Sequence, residues 1–212
     1  MGGLSALAGL ESVVGMTTPG NHRRRVKHYH EPGDLHGLTF SCYRRMPLLT
    51  NDAWRQLLAE AVDRALQGRD FALVAFVFMP EHVHLLVYPR GASVTTREIE
   101  ALLAAVKRPY SYRIKQILIG SRSPLLAKLT VPDRRRGTVS RYWQKGPGYD
   151  RNLSSQKAVL GSIDYIHNNP VSRGLARQAT DWRWSSARWY ASDRQVVDAA
   201  LPKLDGLPAE FF

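Results

Sequence analysis

The apolar positions of the chain recur with two different periods. LHGLTFSCYRR (35–45) mixes β-branched and aromatic residues and predicts a first strand, closed by Pro47. Asn51 or Asp52 then caps a helix whose apolar residues Trp54, Leu57, Leu58, Ala61, Val62 and Ala65 follow three-to-four spacing up to Gly68. FALVAFVFM (71–79) is apolar on both faces, as a central strand covered by helices is. Pro80 breaks it, and HVHLLVYP predicts a second strand, its hairpin partner. Thr95 or Thr96 opens another helix, REIEALLAAVKRPYSYRIKQIL, interrupted or kinked at Pro109. The segment 120–140, with Pro124, Pro132 and three consecutive arginines, has the composition of a basic loop, and RYWQKGPGYDRNL (141–153) that of a short strand and turn. Ser154 or Ser155 caps a last long helix, QKAVLGSIDYIHN, stopped by Pro170, before the aromatic segment DWRWSSARWY (181–190). No internal repeat is visible. This order of elements predicts an α+β fold, with helices packed on a mainly antiparallel sheet.

Length and charge narrow the reading. At 212 residues the chain suits one domain with tails. We expect a flexible basic leader at 1–27, the domain at 28–190 and a C-terminal tail at 191–212. The first twenty residues lack a positive n-region and carry Glu11 where an apolar core should continue, so a signal peptide is not expected. No apolar run reaches the roughly 18 residues of a membrane span. The single cysteine, Cys42, rules out an internal disulfide and a zinc knuckle, and fits a reducing, cytoplasmic setting. Thirty Lys and Arg against eighteen Asp and Glu give +12, an excess that points to a polyanionic partner, most commonly nucleic acid.

MPEHVHLLVYP (79–89) carries the first chemistry. On a strand, His82 and His84 project to one side while Val83 and Leu85 face the other. Two imidazoles so placed can share one divalent ion, but they need a third ligand from elsewhere. Alone, the pattern serves equally well as a structural pair. The histidine-triad hydrolases need a further histidine where this chain has Leu86, and the cupins need a glutamate near Tyr88 and Pro89.

The second constellation is SIDYIHNNPVSRGL (162–175). Tyr165 and Asn169 stand one helical turn apart, opposite an apolar stripe of Val159, Ile163 and Ile166. A phenol lifted off such a stripe can attack phosphorus and hold a covalent intermediate. The asparagine carbonyl can complete a metal shell, or Asn169 can merely cap before Pro170. A residue before proline is disfavoured in helical conformation, so Asn168 or His167 stands as a substitute.

MPEHVHLLV, YWQKGPGYDRNL, YIHNNPVSRGL and WRWSS, in this order, resemble the REP-associated tyrosine transposases, single-tyrosine members of the HUH nuclease superfamily. The resemblance covers about residues 28 to 190; the first 25 residues lie outside it, and 118–140 is long for the family. It implies a ferredoxin-like sheet with the histidines on a central strand. It also implies a Mg²⁺- or Mn²⁺-dependent endonuclease and strand transferase acting on single-stranded DNA with a REP-like hairpin, through a 5′-phosphotyrosine. On this resemblance His82, His84 and Asn169 are metal ligands and Tyr165 is the nucleophile. The expected setting is the nucleoid, as monomer or homodimer. A catalytically silent DNA-binding protein of the same fold, or a phosphodiesterase using metal-activated water, are the other readings.

Several basic clusters are candidate DNA contacts: Arg23, Arg24 and Arg25 in the leader, Lys107, Arg108, Arg113 and Lys115 beside Tyr110 and Tyr112, and Arg134, Arg135 and Arg136. Tyr110 and Tyr112 are the rival nucleophiles. Trp182, Trp184 and Trp189 either stack on bases or pack back onto the domain.

Overall fold

A computed structural model describes residues 34–208 and 211, apart from 92–94 and 147. The basic leader and its arginines 23–25 lie outside the described residues.

The main sheet has four strands in the order β2-β3-β1-β6, antiparallel throughout. These are β1 (Leu35–Ser41), β2 (Phe71–Phe78), β3 (His82–Pro89) and β6 (Tyr149–Leu153). Helix α1 (Asp52–Gln67) joins β1 to β2, and α2 (Thr96–Gly120) leaves β3, giving the ferredoxin-like βαββαβ order. Both helices start where the sequence offers a cap. Asn51 accepts from the Trp54 N–H, and Thr95 with Glu98 forms a capping box.

The strands divide their side chains between two cores. Leu38 and Phe40 of β1, Leu73, Phe76 and Phe78 of β2, and Val83, Leu85 and Val87 of β3 pack with α1 and α2. Val74, Val77 and Leu86 face the opposite way and pack under α4 (Gln156–Ser172), through Val159, Ile163 and Ile166. Hence β2 is buried on both faces, as its unbroken apolar run requires.

The edge of β2 is covered by the C-terminal part of the chain, which removes an exposed ladder of unpaired backbone groups. The Trp184 carbonyl accepts from the Phe78 N–H, and the Ser186 N–H donates to the Phe76 carbonyl. Further along, the Leu73 N–H donates to the Asp205 carboxylate and its carbonyl accepts from the Asp205 N–H. Trp182 and Trp184 pack back onto the domain, their indole N–H groups donating to the Phe78 carbonyl and to Asp52. WRWSS therefore seals a sheet edge.

Three local expectations need correction. The 120–140 segment is not a loop: α3 (Leu125–Leu129) leads into a hairpin of β4 (Thr130–Asp133) and β5 (Gly137–Ser140). Asp133 accepts from the Arg135 and Arg136 N–H groups, and Gly137 takes the left-handed conformation (φ 70°) that turns the chain back. The arginine triplet is the tip of this hairpin. Next, α2 runs unbroken through Pro109, and α4 through Pro170. A proline costs its helix one N–H and clashes with the preceding turn, but burial of the apolar stripe along both helices outweighs that local cost.

Candidate active site

His84 lies opposite Thr39 in the β1–β3 register, and both project from the α4 face of the sheet. The histidine pair thus sits on a strand with a neighbour on each side, where backbone position is tightly fixed. The Nε2 atoms of His82 and His84 are 3.0 Å apart. Each ring is held through its other nitrogen: Nδ1 of His84 is 2.8 Å from the Thr39 hydroxyl, and Nδ1 of His82 is 3.2 Å from Glu81 Oε1. A carboxylate only accepts, so Glu81 selects the tautomer of His82 that carries its proton on Nδ1 and leaves a lone pair on Nε2.

Burial keeps both rings neutral. It lowers His84 to about 3, with the neighbouring His82 adding to the effect. It also lowers His82, where Glu81 opposes the shift and the charges of Arg45 and Arg173 add to it. For Glu81, burial acts upward, but the hydrogen bond from Arg173 and the nearby charges win and leave the carboxyl below its ordinary range. Neutral imidazoles are the form that binds metal.

Helix α4 brings the other two groups. The Tyr165 ring meets His84 edge-on, with centroids 5.4 Å apart, and 59% of the residue is exposed. The Asn169 amide nitrogen is 3.4 Å from His84 Nε2, while its buried Oδ1 has no partner. Of the three residues weighed for this place, only Asn169 reaches the histidines. His167 turns to the Ser186 hydroxyl (2.8 Å), and Asn168 donates back to the Asp164 carbonyl of its own helix. The helical phase at 169, retained despite Pro170, aims it correctly.

Together these residues line a cleft of about 580 Å³, whose walls also include Arg45, Tyr149, Arg151 and Arg173. Its donor set suits a divalent cation. Two neutral imidazole nitrogens 3.0 Å apart could be shared by one divalent ion. An orphaned amide oxygen beside them is an obvious third donor, which a hard ion such as Mg²⁺ or Mn²⁺ accepts. Among the described residues no three His, Cys, Asp or Glu converge, so the amide is essential to this reading.

The rival tyrosines lie elsewhere. Tyr110 is buried, its hydroxyl donating to the Tyr142 hydroxyl at 3.0 Å, and Tyr112 is exposed on α2 away from the cleft. Nor do the basic candidates among the described residues reach the cleft. Lys107 donates to the Gly146 carbonyl, Arg113 pairs with Glu60, and Arg108, Lys115 and Arg134–Arg136 are exposed. Sequence reasoning missed Thr39, Glu81, Arg45, Arg151 and Arg173. Glu81, next to His82, was the one visible signal; the others converge only through strand pairing and the end of α4.

No protein-family model matches the chain. In sequence it is 24% identical over 144 residues to the REP-associated tyrosine transposase of Escherichia coli K12, covering 68% of this chain and 69% of that protein. In fold it matches the structure of a REP-associated tyrosine transposase bound to a REP hairpin, with a TM-score of 0.59, 21% identity, and coverage of 86% of this chain and 96% of that one.

Proposed function

Starting from a chain that resembles REP-associated tyrosine transposases in sequence and shares their fold, we propose that it cleaves and rejoins single-stranded DNA beside a hairpin, with Tyr165 as nucleophile. The observation that carries this reading is the meeting of Tyr165 with His84 in one open cleft, alongside His82 and Asn169. His82, His84 and Asn169 would hold Mg²⁺ or Mn²⁺. Such an ion, when bound, supplies Lewis-acid polarisation of the scissile phosphate and charge neutralisation in the transition state.

The chain's own groups do the rest. Tyr165 is exposed on a rigid helix, so a strand laid in the cleft presents its phosphorus to the phenol without rearrangement of the fold. Its Oη attacks phosphorus and gives up the phenol proton. The P–O3′ bond breaks, and the 3′ oxygen leaves as a hydroxyl. The 5′ phosphate stays on Tyr165 as a phosphodiester, which conserves the bond energy. Attack by a 3′-hydroxyl reverses the step, frees the phenol and joins the strands, so no nucleotide cofactor is consumed. Glu81 and Thr39 hold the imidazoles in place, and Arg173 ties the end of α4 to the histidine strand through Glu81 (2.8 Å).

The test is a covalent adduct. Protein incubated with Mn²⁺ and a hairpin-bearing single-stranded oligonucleotide should give a slow band on a denaturing gel. Tyr165→Phe should reduce it by on the order of 10³-fold or more. Cleavage that persists in Tyr165→Phe without an adduct would mean activated water, and binding without cleavage by the wild type would mean a silent binder.

A further inference from the structure

Directly after β1 the chain makes an uncommon turn. Arg44 and Arg45 both take left-handed backbone conformations, with φ of 52° and 54°, a region that residues with a Cβ rarely adopt. Such a conformation persists only where the surroundings over-determine it. Here four hydrogen bonds do so. The Cys42 N–H donates to the Glu81 carbonyl (2.8 Å), the Tyr43 N–H to the Tyr142 carbonyl (2.7 Å) and the Arg45 N–H to the Cys42 carbonyl (3.0 Å). The Arg44 N–H donates to the Gln144 side chain (3.1 Å).

The turn sends its two arginines to different places. Arg44 lies over the Tyr43 ring and is not part of the cleft wall. Arg45 lines the cleft with His82, His84 and Tyr165, and its charge is felt at His82. Arg151, from β6, lines the same cleft. Several arginines of this fold have acidic partners: Arg55 with Asp52, Arg113 with Glu60, Arg183 with Asp198, and Arg173 with Glu81 in the cleft itself. The guanidinium groups of Arg45 and Arg151 make no hydrogen bond or ion pair with the described residues. Two guanidiniums without an internal partner beside one nucleophile are free to take an anion, and guanidinium geometry matches phosphate.

We propose that Arg45 and Arg151 form a phosphate clamp that seats the backbone of the bound strand across Tyr165, with the strained turn aiming Arg45. The clamp deepens the single-strand reading above and rests on it for the identity of the ligand. Its contacts go to phosphates, so it fixes register without reading sequence.

The test combines thermal melting with oligonucleotide binding over a salt series, using full-length protein and a single-stranded hairpin-bearing oligonucleotide. Each lost phosphate contact lowers the slope of log K against log[salt] by about 0.7 for a single strand. Arg45→Gly should weaken binding and lower the slope by about that amount, while the melting temperature stays level or rises, because glycine relieves the left-handed backbone. Arg151→Ala should lower the slope by a similar amount. Arg44→Gly relieves the same strain outside the cleft and should leave the slope unchanged. An unchanged slope in Arg45→Gly overturns the clamp, and so does a slope loss that comes with a fall in melting temperature. Adduct formation by the wild type is scored separately. A clamp signature without an adduct sinks the Tyr165 reading alone, and an adduct with an unaltered slope sinks the clamp alone.

Discussion

Tyr110 and Tyr165 stand on helices laid over opposite faces of one sheet. Under α2, Tyr110 is 2% exposed and sits in an aromatic cluster with Tyr142 and Trp143. Its hydroxyl donates to Tyr142, whose own hydroxyl donates to the Leu48 carbonyl. Burial pushes both phenols far above their ordinary range, so neither ionises readily. Under α4 the packing stops short. The apolar stripe of that helix covers Val74, Val77 and Leu86, but beyond it the sheet presents His84 and the helix presents Tyr165 to a cleft. One face spends its polar groups on a closed hydrogen-bond chain. The other leaves an amide oxygen without a partner beside two ring nitrogens that face each other at 3.0 Å. The cleft opens where the core is incomplete.

Two adjacent residues of β3 give the sharpest break of this comparison. His84→Ala, on the cleft side, should reduce Mn²⁺-dependent adduct formation by on the order of 10²-fold or more, with the melting temperature of metal-free protein little changed. Leu85→Ala, facing α1 and α2, should cost about 2–5 kcal/mol in denaturant unfolding. Equal destabilisation by both variants would erase the division between the faces.

A smaller effect is expected from Thr39→Val, which removes the Nδ1 partner of His84 without touching a proposed ligand. Mn²⁺ affinity measured by calorimetry should fall about 10–100-fold; an unchanged affinity would show that packing alone orients the ring.

The α4 side should also be the acid-sensitive one. Burial lowers His84 to about 3 and His167 to about 4, the latter partly offset by Asp164. Both are neutral when folded, whereas an unfolded histidine takes up a proton near pH 6.5. Their stability is therefore fully present above pH 6.5 and is lost as pH falls toward the folded values. The slope is at most about 1.4 kcal/mol per pH unit for each ring. Melting of metal-free protein between pH 7 and 5 should show this decline, and His167→Gln should flatten it. A wild-type melting temperature independent of pH in that window would refute the buried neutral state.

The smallest effect belongs to the closed face. Tyr110→Phe removes one buried hydrogen bond but leaves the Tyr142 hydroxyl donating to Leu48, and should cost about 1 kcal/mol with adduct formation intact.

Much of this division is legible in the sequence because it depends on period. The alternation in HVHLLVY places Val83 and Leu85 on one side and the histidines on the other, and the stripe Val159, Ile163, Ile166 orients Tyr165 away from the core. Caps at Asn51, Thr95 and Ser155 are readable for the same reason: each is satisfied by a backbone N–H three residues ahead. The arginine-tipped hairpin was hidden, since its strands are four residues long and half-exposed, too short for alternation to stand out from a loop. The prolines in α2 and α4 misled for a related reason. Local backbone preference argues for a break, while the packing that overrides it comes from strands elsewhere in the chain.

The sequence by itself determined which side of each element His82, His84 and Tyr165 occupy, because strand and helix periods are properties of a few consecutive residues. Tertiary structure alone decided which of His167, Asn168 and Asn169 meets the histidines, that Thr39 and Glu81 hold the rings, and that Arg45 and Arg151 share their cleft. Apart from the Glu81–His82 pair, those contacts join positions far apart in the chain, from β1 to the end of α4. They depend on how the strands pair and how a helix seats on the sheet, and no local period records that.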